Sequence, residues 1–183
     1  MYKSHITFRA VIYSLVLFIG SLSWVACEKV ENLLTFRIKN EVSFMIPSAI
    51  GMNTPYAIPV PDVQTNASQS FENNDTDINK VKNIKLESLN LTISSPSNAT
   101  FKPVKSINIY IVSEGLPKKL IAYKNDIPLT IGNKLILDTT LENLDAYVKK
   151  EIYSLETQTV MREAIFQDTE IFAQMSFFVT ADF

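Results

Sequence analysis

The side chains that most often carry covalent chemistry occur once each in this sequence, the histidine at His5 and the cysteine at Cys27. They bracket a charge-free apolar run from Ala10 to Ala26, which follows Lys3 and Arg9. A basic start, an apolar stretch and small residues (Ser21, Ser23, Ala26) at its end form the layout of a secretory signal peptide. A transmembrane helix is the competing reading, since the run nears the lower limit of roughly 17 to 25 residues needed to cross a bilayer core. The small residues and the cysteine that follows them favour cleavage. Removing residues 1–26 takes away the only imidazole, which excludes Ser-His-Asp and Cys-His catalysis. It also excludes the common His and Cys zinc sites, and a lone thiol leaves no disulfide within the chain. Acid–base work would fall to carboxylates, Lys or Tyr, and no pair of these stands out by spacing. Gly51, Gly115 and Gly132 are too scattered for a phosphate loop. The expectation is a protein that is not an enzyme and has no cofactor.

Two weaker constellations remain. The stretch "ENNDTDIN" sets Asn73, Asp75 and Asp77 at alternate positions, as a calcium loop does, with Asn79 next in line. Ile78 and Ile84 stand where such a loop requires a turn glycine and a bidentate Glu, so a solvated turn is the simpler reading. Tyr110 and Tyr123 flank the turn "SEGLPKK" and would form an aromatic contact surface if both pointed outward. Ile109 and Ile111 put Tyr110 on the face opposite theirs, whereas even spacing puts Tyr123 on the face of Ile121. A second packed face explains the tyrosines equally well.

The thiol itself has a third use. Trp24, Val25, Ala26 and Cys27 resemble the lipobox of bacterial lipoproteins, with Trp24 in place of the usual leucine. That resemblance implies cleavage by signal peptidase II before Cys27 and attachment of diacylglycerol and a further, palmitate-type acyl chain. Several chains anchor far more stably than one, at roughly 0.8 kcal/mol per buried methylene. Cys27 is then an anchor and not a nucleophile. The following "EKVE" is similar to the acidic, lysine-containing stretch that sends some lipoproteins of the Bacteroidota to the outer face of the outer membrane. Val30 interrupts it, so the periplasmic leaflet stays open as the alternative.

The remaining chain, Cys27–Phe183, has a length that suits one domain. Losing Lys3 and Arg9 but no acid takes the net charge from −2 to −4, which is no footprint for nucleic acid. Residues 27–34 are assigned to a lipidated tether and 35–183 to the folded domain. In "TFRIKNEVSFMI" the residues Phe36, Ile38, Val42, Phe44 and Ile46 recur with period two, the mark of a strand with one buried face. "SINIYIV" and "TEIFAQMSFFVTADF" repeat it, the latter with Ile171, Ala173, Met175, Phe177, Val179 and Ala181 on one face. In "VKNIKLESLNLTIS" the apolar phase slips near Ser88. Either a β-bulge restores a common face or the strand passes from one sheet to the other. Residues 47–77 are rich in Pro, Asn, Ser and Thr and predict an edge strand or a meandering loop. Leu141, Leu144, Tyr147 and Val148 predict one short helix, capped by Thr140 or Asn143 and matched at its end by Lys149 and Lys150. Short strands between regular turn signals predict an all-β antiparallel sandwich with one short helix.

Across most of this domain the order of segments resembles envelope lipoproteins of Bacteroidota type with no assigned activity. The likeness lies in the first long strand, "FENNDTD", "IKLESLNLTISSPSN", "SINIYIVSEGLPKKLIAY" and the closing "FFVTADF". With an anchor, a sheet and no imidazole or free thiol, the expectation is a lipid-anchored binding or assembly module of the cell envelope, whose partners are the membrane and an envelope protein. A carrier or chaperone for an apolar ligand is the alternative, and would require an internal cavity. A carboxylate-based enzyme such as a glycosidase would require two acids flanking a cleft.

Overall fold

A computed structural model of the protein describes residues 33–48 and 50–182. The signal-peptide residues, Cys27 and the tether before Leu33 lie outside the described residues. The first strand takes in Leu33 and Leu34, which the alternation had left to the tether.

Ten strands form two antiparallel sheets. The first sheet contains β1 (Leu33–Ile46), β10 (Thr169–Asp182), β4 (Val81–Ser95) and β7 (Lys134–Ile136), in that order. The second runs β2 (Pro55–Pro59), β9 (Ile152–Met161), β5 (Val104–Val112), β6 (Lys119–Lys124) and β8 (Asp138–Thr139). The short β3 (Val63–Gln64) also lies beside β9. Setting aside β3 and β8, the eight remaining strands have the order of a jelly roll, a sandwich whose chain keeps crossing between sheets.

The period-two faces meet between the sheets. Phe36, Ile38, Phe44 and Ile46 of β1 and Ile171, Ala173, Met175, Phe177, Val179 and Ala181 of β10 are all buried. The phase slip in β4 is a bulge: Ser176 faces Ser88 and Phe177 faces Leu86, so Glu87 has no counterpart. Ile84, Leu86, Leu89, Leu91 and Ile93 consequently share the buried face. The bulge turns Glu87 outward, where its carboxylate accepts two bonds from the Arg37 guanidinium at 2.6 and 2.7 Å, reaching across β10. Those bonds hold the Glu87 carboxyl below its ordinary range. Passage between sheets occurs instead in "KLILDTT". There β7 pairs with β4, and two residues later β8 pairs with β6.

Among the described residues two helices are present where one was expected. The second, α2 (Asp145–Val148), is shorter than its apolar spacing suggested. Leu141 is left out of it, exposed and at φ 56°. Asn143 accepts the Asp145 N–H at 2.9 Å. Lys149 and Lys150 donate to the carbonyls of Val81 and Glu114 rather than to the helix end. The first helix, α1 (Ala67–Glu72), arises within the polar segment. Ala67 and Phe71, one turn apart, are buried, and the Phe71 ring packs edge-on against Phe36 at 6.2 Å. Tertiary burial holds a helix whose own propensity is poor.

One buried polar group ties this segment to both sheets. Asn40 points inward from β1 and is only 3 % exposed. Its Nδ2 donates to the carbonyls of Gln64 (3.1 Å) and Thr65 (2.9 Å), while its Oδ1 accepts the Tyr153 hydroxyl at 3.3 Å. Thr65 in turn donates its hydroxyl to the Lys150 carbonyl at 2.7 Å. Burial pushes the Tyr153 phenol far above its usual range, so it remains a neutral donor.

Candidate interaction surface

Strand directions divide the sandwich into two ends. Leu33 pairs with Asp182 at one end, and Ile46 pairs with Thr169 at the other. Four connections gather at the Ile46 end: 47–54, 96–103, 125–133 and 162–168. Their backbones are laced together. Arg162 donates its N–H to the Pro103 carbonyl (2.8 Å), Phe101 to Gly132 (2.9 Å), Ile127 to Lys105 (3.0 Å) and Asn53 to Met161 (2.8 Å). The Ser48 N–H reaches the Asp168 carboxylate at 2.7 Å and holds that acid below its ordinary range.

This bracing shows side chains to solvent that a lone domain would normally bury. Phe166 is 93 % exposed, Leu129 58 %, Met52 53 % and Met45 51 %, and Tyr56 on the neighbouring edge strand is 40 % exposed. Ile165 explains Phe166: it packs against the core and lines a small apolar cavity with Ile46, Phe101, Met161 and Ile171, which leaves the next residue facing outward. Beside these residues an open depression of about 270 Å³ is lined by Asn53, Lys105, Asp126 and Arg162. An apolar set rimmed by polar groups is the usual composition of a contact surface.

The residues singled out from the sequence lie elsewhere. Tyr110 and Tyr123 do share the outer face of the second sheet, because Asn108 pairs with Tyr123 and Tyr110 with Leu120. The expectation that Tyr123 keeps to the face of Ile121 is corrected by a bulge. Ile121 has no counterpart on β5, so Ile121 and Ala122 are both buried and the phase reverses. Tyr110 is already covered: Lys118 Nζ lies 4.7 Å from its ring centre and pairs with Glu156 at 2.7 Å.

Asn73, Asp75 and Asp77 lie in the turn that follows α1. Asn73 closes α1 and accepts the Gln69 side-chain amide (3.1 Å), Asp75 has φ 53°, and Asp77 accepts the Asn79 N–H at 2.8 Å. Among the described residues no group of three His, Cys, Asp or Glu side chains could hold a metal ion. Thermal melts of the domain should therefore be unmoved by EDTA. A loss of many degrees would show that these residues do hold calcium.

A polar depression of about 340 Å³ at the opposite end contains Glu72 and Glu151. Both are exposed, whereas the acid of a glycosidase pair sits in a dry pocket. The small apolar cavity that Ile165 lines at the Ile46 end measures about 10 Å³, roughly the space that one water needs. No helix among the described residues is long and apolar enough to cross a membrane.

No family model and no curated protein matches the chain. Solved structures that do match include the BFDV capsid protein in two assemblies. The 60-mer is 13 % identical, with 84 % of this chain and 95 % of that chain covered and a TM-score of 0.45. The decamer is 8 % identical, with 82 % and 99 % covered and a TM-score of 0.40.

Proposed function

We propose that this chain is a lipid-anchored β-sandwich of the cell envelope that works by binding or assembly at the loop end remote from its anchor, without catalysing a reaction. The observation that carries the proposal is the gathering of Met45, Met52, Leu129 and Phe166 at the end opposite Leu33. Five residues separate Cys27 from Leu33, and the six steps between the two reach at most about 20 Å. Strand β1, with 14 residues, spans roughly 45 Å. A lipid on Cys27 keeps the Leu33 end near the bilayer and leaves the Phe166 loop beyond the tether's reach. "EKVE" supports the outer face of the outer membrane. An apolar-ligand carrier would need a pocket of roughly 300 Å³ or more, against about 10 Å³ in the apolar cavity beneath Ile165.

The test has two arms. Cys27→Ala should move the full-length protein from the membrane pellet to the soluble fraction after a carbonate wash. Retention in the pellet with an uncleaved N-terminus would mean that the run from Ala10 is itself the anchor. For the binding half, a photo-crosslinking residue at position 166 of the membrane-bound chain should give a discrete adduct, absent when the probe replaces the exposed Lys85. Adducts at neither position, or equally at both, would remove the loop end as the contact surface.

A further inference from the structure

We propose that the free edge of β1 pairs with β1 of a second copy across a two-fold axis at Asn40, joining two four-stranded sheets into one of eight strands. The edge is open: β1 stands at the margin of its sheet, and among the described residues no turn or loop backbone hydrogen bond reaches residues 33–46. A row of unpaired backbone groups is a template for strand addition unless it is short, bulged, broken by proline or covered. The other margins are blunted in those ways. β2 has Pro55 and Pro59 in five residues, β7 has three residues and β8 two. β1 runs 14 residues without a proline, and its register with β10 is unbroken.

What selects a second copy is the order of side chains about Asn40. Reading outward in both directions, Lys39 is answered by Glu41, Ile38 by Val42, Arg37 by Ser43, Phe36 by Phe44 and Leu34 by Ile46. Antiparallel pairing of two β1 strands about this centre sets each residue opposite its counterpart. Lys39 then faces Glu41 twice on the outer surface, and apolar residues face apolar residues within. Moving the centre to Lys39 sets Lys39 against itself, and moving it to Glu41 does the same for that acid. Shifts of this size keep the faces but bring like charges together, and the attractive pair that a centre at Lys39 would add, Arg37 with Glu41, competes with the bond of Arg37 to Glu87, so one register is favoured.

The groups needed are available. Lys39 and Glu41 are exposed. Arg37 is already committed to Glu87, and Lys39 has no ion-pair partner among the described residues. Glu41 accepts only a neutral bond, from the Gln174 amide at 2.9 Å. The Asn40 amide points into the sandwich and leaves the axis clear. Val42, only half-buried at this edge, would be covered by Ile38 of the second copy. The pairing sets the Leu33 end of each copy beside the Ile46 end of the other, so two lipids on one bilayer require the paired β1 strands to lie along the membrane; failure of the pairing would leave the proposed function standing.

Sedimentation of the full-length protein in detergent, over a range of concentrations, tests it. The unaltered chain should sediment as a dimer. Lys39→Glu and Glu41→Lys each place like charges opposite one another twice, and each should weaken the dimer roughly tenfold to a hundredfold. The double change K39E with E41K restores the pairing and should restore the dimer. Gln174→Ala removes the bond to Glu41 without altering charge and should leave the dimer intact. A monomer at every concentration overturns the proposal. A dimer indifferent to charge reversal is mere sharing of a micelle and overturns it too, as does a double variant no better than the single ones.

Discussion

Phe177→Ala in the domain spanning residues 33–182 is expected to cost roughly 3–5 kcal/mol of stability in denaturant melts, the range for emptying a packed aromatic site. Phe177 has no exposed surface and sits in β10 between β1 and β4. Its ring also meets Tyr153 of the opposite sheet edge-on at 6.2 Å, so truncation loosens both layers. Gln174→Ala on the outer face of the same strand should stay within about 0.5 kcal/mol. Its bond to Glu41 lies in water, where exchange for solvent costs little. The contrast reports register, because a slip of one residue would exchange the two faces. Equal small losses would mean that Phe177 does not face the core.

Asn40→Ala is the second large effect, for a different reason. It removes a side chain of modest volume but takes a donor from the carbonyls of Gln64 and Thr65 and leaves the Tyr153 hydroxyl only the Met175 sulfur at 3.5 Å. Each buried polar group left unpaired costs roughly 1–3 kcal/mol, so a loss of about 2–4 kcal/mol is expected. Tyr153→Phe deletes a hydroxyl whose bonds to Asn40 Oδ1 and the Met175 sulfur are both long, and should cost about 1 kcal/mol. Combining the two should cost less than their sum, since the hydroxyl stranded by the first change is removed by the second. Amide exchange should quicken in α1, whose first residue donates to Thr65 Oγ1 at 3.2 Å. A loss for Asn40→Ala no greater than that of a surface substitution would show that this network does not hold the crossing segment in place.

The long strands were legible because period-two apolar spacing has one physical solution when a single face must be buried. β1, β5 and β10 follow that spacing with few exceptions, and the slip in β4 pointed to its own bulge. Asn40 was passed over because its polarity disguised an inward position, and only the carbonyls of a segment 24 residues away make that position tolerable. Phe166 was missed for the converse reason. An apolar residue in a loop is ordinarily buried, and Ile165 takes the one place in the core that the loop offers.

What the sequence determined by itself is local: an apolar run ending in one cysteine, the absence of imidazole from the chain after it, and alternation that requires sheets packed face to face. Those conclusions rest on composition and on the pleat, which act within a few residues. The tertiary structure decided which strands are neighbours, that β6 carries a bulge which turns Tyr123 outward, and that 67–72 is helical. It also decided that Met52, Leu129 and Phe166 come to the surface at one end of the sandwich and which strand keeps an open edge. These depend on pairings between residues far apart in the chain, where the free energy of burial is shared among partners that local spacing does not name.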